Sequence, residues 1–210
     1  PALEGVQWLE LEELAALPLP RFDLMPDGYY DLLPVETSRG CKHACVFCSV
    51  TFRRNWRGLL PAEVEDRLRA LNPFLKKTRE RAFFIIDDCF TADHDRLAGI
   101  ADRLGGFPHP VCFEARITDV IAPGALDQLL RLPVKVMEMG VECGYEEGLA
   151  RAGKRLTLTE VEAAAELLAA REIGDRGRFS FVLGLPGETR KEIERTLNYG
   201  FKLADRLGSR

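Results

Sequence analysis

The 210-residue chain is 46% apolar and 30% charged, with a formal net charge of −4, the composition of a globular protein with a packed core. No apolar run approaches the ~18 residues of a membrane-crossing helix, and the N-terminus lacks the pattern of a secretory signal. The negative balance gives no global attraction to nucleic acid phosphates. The cytoplasm is the expected compartment, and it suits reduced thiols. The absence of a methionine at Pro1 is read as a sign that an upstream domain is missing.

In chain order, residues 3 to 17 read as a helix carrying Leu3, Val6, Leu14 and Leu17 among acidic residues, and Pro18, Pro20 and Pro26 then enforce an extended stretch. Residues 1–34 are therefore taken as an N-terminal helix with a proline-rich linker, and 35–210 as the main domain. Strands are expected at 34 to 38, 82 to 87, 111 to 116, 134 to 141 and 178 to 183, several apolar on both faces as covered parallel strands must be. Helices are expected between them. Residues 61 to 77 begin with proline and carry Val64, Leu68, Leu71 and Leu75 on one stripe, and 93 to 104 start at Asp93 as N-cap. A shorter helix spans 123 to 131, and 159 to 172 begins with Thr159 and Glu162 in a capping-box spacing. The last helix repeats that spacing at Thr189 and Glu192, with Ile193, Leu197, Phe201 and Ala204 as its buried stripe. The alternation predicts an α/β protein of parallel strands, five βα units of a partial (β/α)6-type TIM barrel with the sixth strand missing.

The conspicuous chemistry lies in one loop, where Cys41, Cys45 and Cys48 are spaced C-x3-C-x2-C. Three thiolates can hold three irons of a cubane cluster and leave the fourth iron open. A structural zinc site needs four ligands, and although His43 sits between the cysteines, no second C-x2-C or H-x3-H occurs. A disulfide framework is a poorer account still, because Cys89, Cys112 and Cys143 stand alone in strand-like contexts of a chain able to build its own core. They read as buried small apolar residues or thiols lining a site. The basic groups Arg53, Arg54, Arg57 and Lys76, Lys77, Arg79, Arg81 read as solvated faces.

Ligands of parallel α/β folds bind at the carboxyl ends of the strands, and the other polar residues fall there. Strand two ends in Asp87 and Asp88, strand three contains Glu114 and Arg116, strand four runs into Glu142, and strand five into Gly184 to Glu188. Singly, these are a turn residue, a helix cap or a glycine turn. Together they crowd one rim with charge, which costs several kcal/mol unless a partner or ligand meets it.

The cysteine loop, with Phe47 before its last cysteine, resembles the cluster loop of radical S-adenosylmethionine (SAM) enzymes. The resemblance runs from about Thr37 to Thr196 and includes Thr-Ser-Arg-Gly-Cys before the cluster, Ile-Asp-Asp-Cys-Phe-Thr at 86 to 91, Met-Gly-Val-Glu-Cys-Gly at 139 to 144, Lys154 with Thr157 and Thr159, and Gly-Leu-Pro-Gly-Glu-Thr at 184 to 189. Within the superfamily, the branch that often carries an upstream cobalamin-binding domain is the most similar. The second-strand motif is not Gly-Gly-Glu, and the fifth-strand motif is shorter than the superfamily's commonest form.

This resemblance implies a 4Fe-4S cluster on Cys41, Cys45 and Cys48 that chelates SAM. It assigns Asp87 or Asp88 to the SAM amino group, Glu142 to the ribose, Gly184 with Glu188 to the region of the adenine, and Glu114 with Arg116 to the carboxylate or ribose. Lys154 is the weakest of these assignments. Val46, Phe47 and Phe90 are expected to shield the cluster. The implied reaction is reductive cleavage of SAM to a 5′-deoxyadenosyl radical that abstracts hydrogen from a small-molecule or peptide substrate, with flavodoxin or ferredoxin as electron donor. Methyl transfer from cobalamin, held outside these residues, is the favoured outcome; methylthio transfer and oxidative cyclisation are alternatives. A non-catalytic iron-sulfur protein for electron transfer or redox sensing is the reading from another class.

Overall fold

A computed structural model describes residues 11–50 and 55–208. The first strand, β1 (Leu33–Val35), is followed by a two-stranded antiparallel ribbon of β2 (Ser38–Arg39) and β3 (Arg57–Gly58) that closes the base of the cysteine loop. Then come α1 (Pro61–Leu71), β4 (Phe83–Ile85), α2 (His94–Leu104), β5 (Val111–Ala115), the short helices α3 (Ile117–Val120) and α4 (Ala125–Leu129), and β6 (Val134–Glu142). The chain continues through α5 (Glu146–Arg151), α6 (Leu158–Ala170), β7 (Gly177–Phe181) and α7 (Arg190–Arg206). Strands β1, β4, β5, β6 and β7 form one sheet in that order with every pairing parallel. Among the described residues this sheet stays open between β7 and β1, a barrel left partial.

Alternation along the strands sorts side chains to two faces. Phe83 and Ile85 of β4, Phe113 of β5 and Met137, Met139 and Val141 of β6 are fully buried beneath the helices. Phe90 joins this layer, its ring centroid 4.8 Å from that of Phe113. The other parity faces the concave side, where Ile86 remains 49% exposed. This layering needs helices that start and stop in the right places. Asp93 caps α2 by accepting the Arg96 amide at 2.9 Å, and Thr189 with Glu192 forms the expected capping box on α7.

Several sequence expectations are corrected. The helix expected over 61 to 77 is α-helical only to Leu71 and continues as a 3-10 turn over Asn72–Lys77, because Pro73 has no N–H to give and disfavours helical backbone before it. The start of α6 is Thr157 with Glu160, not Thr159 with Glu162: Glu160 Oε2 accepts the Thr157 amide at 2.8 Å. The last helix does not bury its expected stripe. Leu197 is 43% and Phe201 69% exposed, since no strand beyond β7 covers them among the described residues, and Thr196 and Leu203 face inward instead. Of the N-terminal helix, Leu11–Ala16 is a 3-10 helix, while Leu3 and Val6 lie outside the described residues. Helices α3 and α5 were not anticipated, being too short for a clear period. The proline-rich stretch is docked: Lys77 Nζ donates to the carbonyls of Asp23 and Met25 at 2.9 and 2.7 Å.

A buried polar knot joins β1 to β4. Asp87, 1% exposed, accepts the Thr37 amide, the Thr37 hydroxyl and the Ser38 hydroxyl, each at 2.6 Å. Arg96 approaches from α2 and donates to the Thr37 carbonyl at 2.8 Å and to the Leu59 carbonyl at 2.8 Å. Burial pushes the Asp87 carboxyl up, and the Ser38 and Thr37 hydrogen bonds oppose that. Asp87→Ala should cost about 3 kcal/mol, because it strands three donors and a buried guanidinium together. Urea unfolding of the cluster-free protein measures this; a loss under about 1 kcal/mol, the scale of a single ordinary hydrogen bond, would refute the knot's importance.

Candidate active site

A cavity of about 250 Å³ opens at the carboxyl ends of the strands, and Cys41, Cys45 and Cys48 all line it. The same wall carries Asp88, Glu114, Arg116, Glu142 and Lys154. Three tethers place the cysteine loop there. The Gly40 amide donates to Asp88 Oδ2 at 2.8 Å, Lys42 Nζ donates to the Ala92 carbonyl at 2.5 Å, and the Val46 amide donates to the Ala152 carbonyl at 3.0 Å.

Parity separates the two neighbouring aspartates. Asp88 follows the concave face of β4 and lines the cavity, whereas Asp87 does not, its oxygens being engaged by Thr37 and Ser38. Glu142 reaches the cavity through a register shift between β6 and β7 at Gly140/Glu142 and a left-handed backbone, φ 76°, a β-bulge that re-aims a side chain. Its carboxylate pairs with Lys154 Nζ at 2.7 Å. A Cβ on Gly140 would lie 2.9 Å from Lys154 Nζ and closer still to Glu142 Oε1, so glycine leaves the room that this pair occupies.

Arg116 points across the cavity and donates from Nη2 to the carbonyls of Lys154 and Arg155. Glu114 makes no ion pair among the described residues; burial, then Glu138, Asp88 and Glu142, pushes its carboxyl above the usual range. Gly184 and Glu188 do not line the cavity. Glu188 Oε2 instead accepts the amides of Gly184 and Leu185 at 2.6 and 3.1 Å, and its Oε1 accepts the Tyr145 hydroxyl at 3.1 Å. Of the expected shield, Phe47 lines the cavity, Val46 stands exposed and Phe90 belongs to the core.

The site also contains Glu138 and Ser180, which sequence reasoning missed. Period-two counting would have found the first: Glu138 and Gly140 share one face of β6. Ser180 lies opposite Gly140 on β7, a pairing that only register reveals.

The thiols are electrostatically unequal. A hydrogen bond with Cys89 draws the Cys41 thiol down to about 6, aided by the His43 backbone and the Arg116 charge and opposed by burial. Cys89, itself on the cavity wall, is pushed up by that same hydrogen bond and by burial. Cys48 Sγ accepts the Val50 amide at 3.4 Å, the type of bond that tunes cluster thiolates. The six cysteines form no disulfide. Among the described residues no three His, Cys, Asp or Glu side chains converge tightly enough for a single metal ion. Three thiols lining one cavity are the donor type that holds iron-sulfur clusters.

Residues 35–200 match the family model described as the Radical SAM superfamily. The chain belongs to the radical SAM superfamily. It is 28% identical over 201 residues to an uncharacterized methyltransferase of Pyrococcus horikoshii, covering 92% of this chain and 43% of that protein. It is 25% identical over 203 residues to an uncharacterized methyltransferase of Synechocystis sp., covering 93% and 37%. The chain thus spans less than half the length of these curated relatives. Among solved structures it is similar in fold to the cobalamin-dependent SAM radical enzyme OxsB with aqua-cobalamin and SAM bound, at TM-score 0.64 and 23% identity over 80% of this chain and 26% of that one. This radical SAM family member has, among its described residues, no helix long and apolar enough to cross a membrane.

In cluster-free protein, alkylation of Cys41 by iodoacetamide should follow the thiolate. The rate should be high above about pH 7 and fall as pH drops through about 6. Cys89→Ala should move the midpoint up toward the ~8.5 of an ordinary thiol. Mass-resolved labelling against pH checks this, and an unmoved midpoint would exclude Cys89 as the cause.

Proposed function

We propose that this chain is the radical-generating core of a methyltransferase that uses a 4Fe-4S cluster and SAM. One observation carries the reading: the three cysteines and the charged residues Asp88, Glu114, Arg116, Glu142 and Lys154 line a single cavity at the strand ends. A cluster held by these cysteines would supply the one-electron reduction of SAM that breaks a carbon–sulfur bond, giving methionine and a 5′-deoxyadenosyl radical.

The chain's own residues then have separable tasks. Cys41, Cys45 and Cys48 would hold the cluster as thiolates. In this reading Asp88 would accept from an ammonium group and Glu142 from hydroxyls. Arg116 and Lys154 offset the carboxylates around them. Phe47, Val50 and Ala115 are apolar parts of the wall and would help exclude water from a reactive carbon radical.

Two relatives named as methyltransferases and the similarity in fold to a cobalamin-dependent enzyme support methyl transfer as the outcome, with cobalamin bound by residues outside this chain. The substrate is a small molecule or peptide, because the net charge of −4 does not favour nucleic acid. A low-potential one-electron donor such as flavodoxin or ferredoxin supplies the electron, and the cytoplasm is the compartment where such donors and reduced thiols coexist.

Cys89, a fourth thiol on the same wall, favours a second reading, a closed four-thiolate cluster for electron transfer. Anaerobic reconstitution separates the two. The radical reading expects SAM to change the electron paramagnetic resonance of the reduced cluster and 5′-deoxyadenosine to form under reduction. Cys45→Ser should lose most bound iron, while Cys89→Ala retains it. An unperturbed spectrum, no 5′-deoxyadenosine and iron loss in Cys89→Ala would support the electron-transfer protein instead.

A further inference from the structure

We propose that Trp56 is a positioning residue that sets Cys41 in place before any metal arrives, acting through Lys42, the residue next to that cysteine. Its bearing on iron rests on the reading of Cys41, Cys45 and Cys48 as cluster ligands. The clamp itself is a property of the metal-free chain.

Trp56 stands where the cysteine loop returns to the ribbon. It immediately precedes β3, whose Arg57 pairs with Arg39 and whose Gly58 pairs with Ser38. The indole N–H donates to Ser38 Oγ at 3.2 Å, and that hydroxyl in turn donates to Asp87, so the ring is fastened to the buried knot. Arg96 adds a second hold, its guanidinium carbon lying 5.5 Å from the ring centroid. A Cβ on Gly58 would lie 2.8 Å from Trp56 Cη2 and closer still to Arg96 Nε, so glycine leaves the room that ring and guanidinium share.

Lys42 of the cysteine loop rests against this fixed ring. Its Nζ lies 4.9 Å from the indole centroid, and the same ammonium donates to the Ala92 carbonyl at 2.5 Å and reaches Asp93 Oδ2 at 3.7 Å. Asp93 is itself held as the N-cap of α2. The negative face of an indole attracts an ammonium, so ring, carbonyl and carboxylate converge on one charge whose flexible stem would otherwise leave it mobile. On the other side of the cysteine, the Gly40 amide is bonded to Asp88 Oδ2 at 2.8 Å. Cys41 is therefore pinned through the residue before it and the residue after it, with no contribution from iron. A ligand already ordered removes part of the entropy cost of binding, and its cluster should leave more slowly.

Two measurements test the clamp. In metal-free protein, amide hydrogen exchange of residues 40–45 should be several-fold faster in Lys42→Met and in Trp56→Leu, while exchange in β5 stays as in the wild type. In anaerobically reconstituted protein, iron release to a chelator should be ~10-fold faster in both variants, the scale at which loss of an outer partner weakens a metal site. Lys42→Arg keeps a cation and Trp56→Phe keeps an aromatic face, so each should recover most of the loss. The double variant Lys42→Met/Trp56→Leu should release iron no faster than Trp56→Leu alone, because Trp56 acts through Lys42. Unchanged exchange in Lys42→Met, no rescue by Lys42→Arg, or effects that multiply in the double variant would each overturn the proposal. Should Trp56→Leu fail to fold, Lys42→Met and Lys42→Arg decide the matter, since the Lys42 side chain is 47% exposed and not part of the core. If the wild-type protein holds no iron, the cluster reading fails, and the exchange measurement alone decides the clamp.

Discussion

A single buried carboxylate organises the entrance to the cysteine loop. Asp87 binds the amide and hydroxyl of Thr37 and the hydroxyl of Ser38, and Arg96 of α2 braces the same segment through its carbonyls. Four elements, β1, the ribbon, β4 and α2, are therefore registered by one polar knot at the point where the chain leaves the sheet for the cysteines. Such a knot is stable only when its donors and acceptors are jointly satisfied, because a buried charge missing a partner costs several kcal/mol. The Gly40–Asp88 bond then carries that order one residue onto the cavity side.

Strand parity divides the labour between structure and chemistry. On β4 the two aspartates alternate, one locked into the knot and one facing the cavity. On β5, Val111 and Phe113 pack beneath the helices while Glu114 and Arg116 line the site. On β6 the bulge at Gly140/Glu142 places a glutamate inward at a position where an unbroken ladder would have run past the rim. The concave face thus carries Asp88, Glu114, Glu138 and Glu142, while Phe83, Ile85, Phe113 and Met139 pack on the other side.

Much of this was legible in the sequence. Apolar runs of strand length alternating with capped amphipathic helices determined the βα order, and the cysteine spacing marked the superfamily's loop at the first strand end. Helix boundaries were less legible where a proline or a rival capping residue stood nearby, as at Pro73 and at Thr157 against Thr159. The exposed Leu197 and Phe201 were misread because an apolar stripe on a helix says that it can be covered, not what covers it.

By itself, the sequence determined the superfamily's motifs, the parallel α/β class and the three thiols, since each depends on local spacing or period. Only the tertiary structure decided which aspartate faces the cavity, that Glu188 is occupied by its own turn and Tyr145, that Glu138 and Ser180 join the site, and that Lys154 meets Glu142. Those outcomes depend on register, on a bulge and on contacts between residues far apart in the chain, and such pairings appear only once the strands are laid side by side.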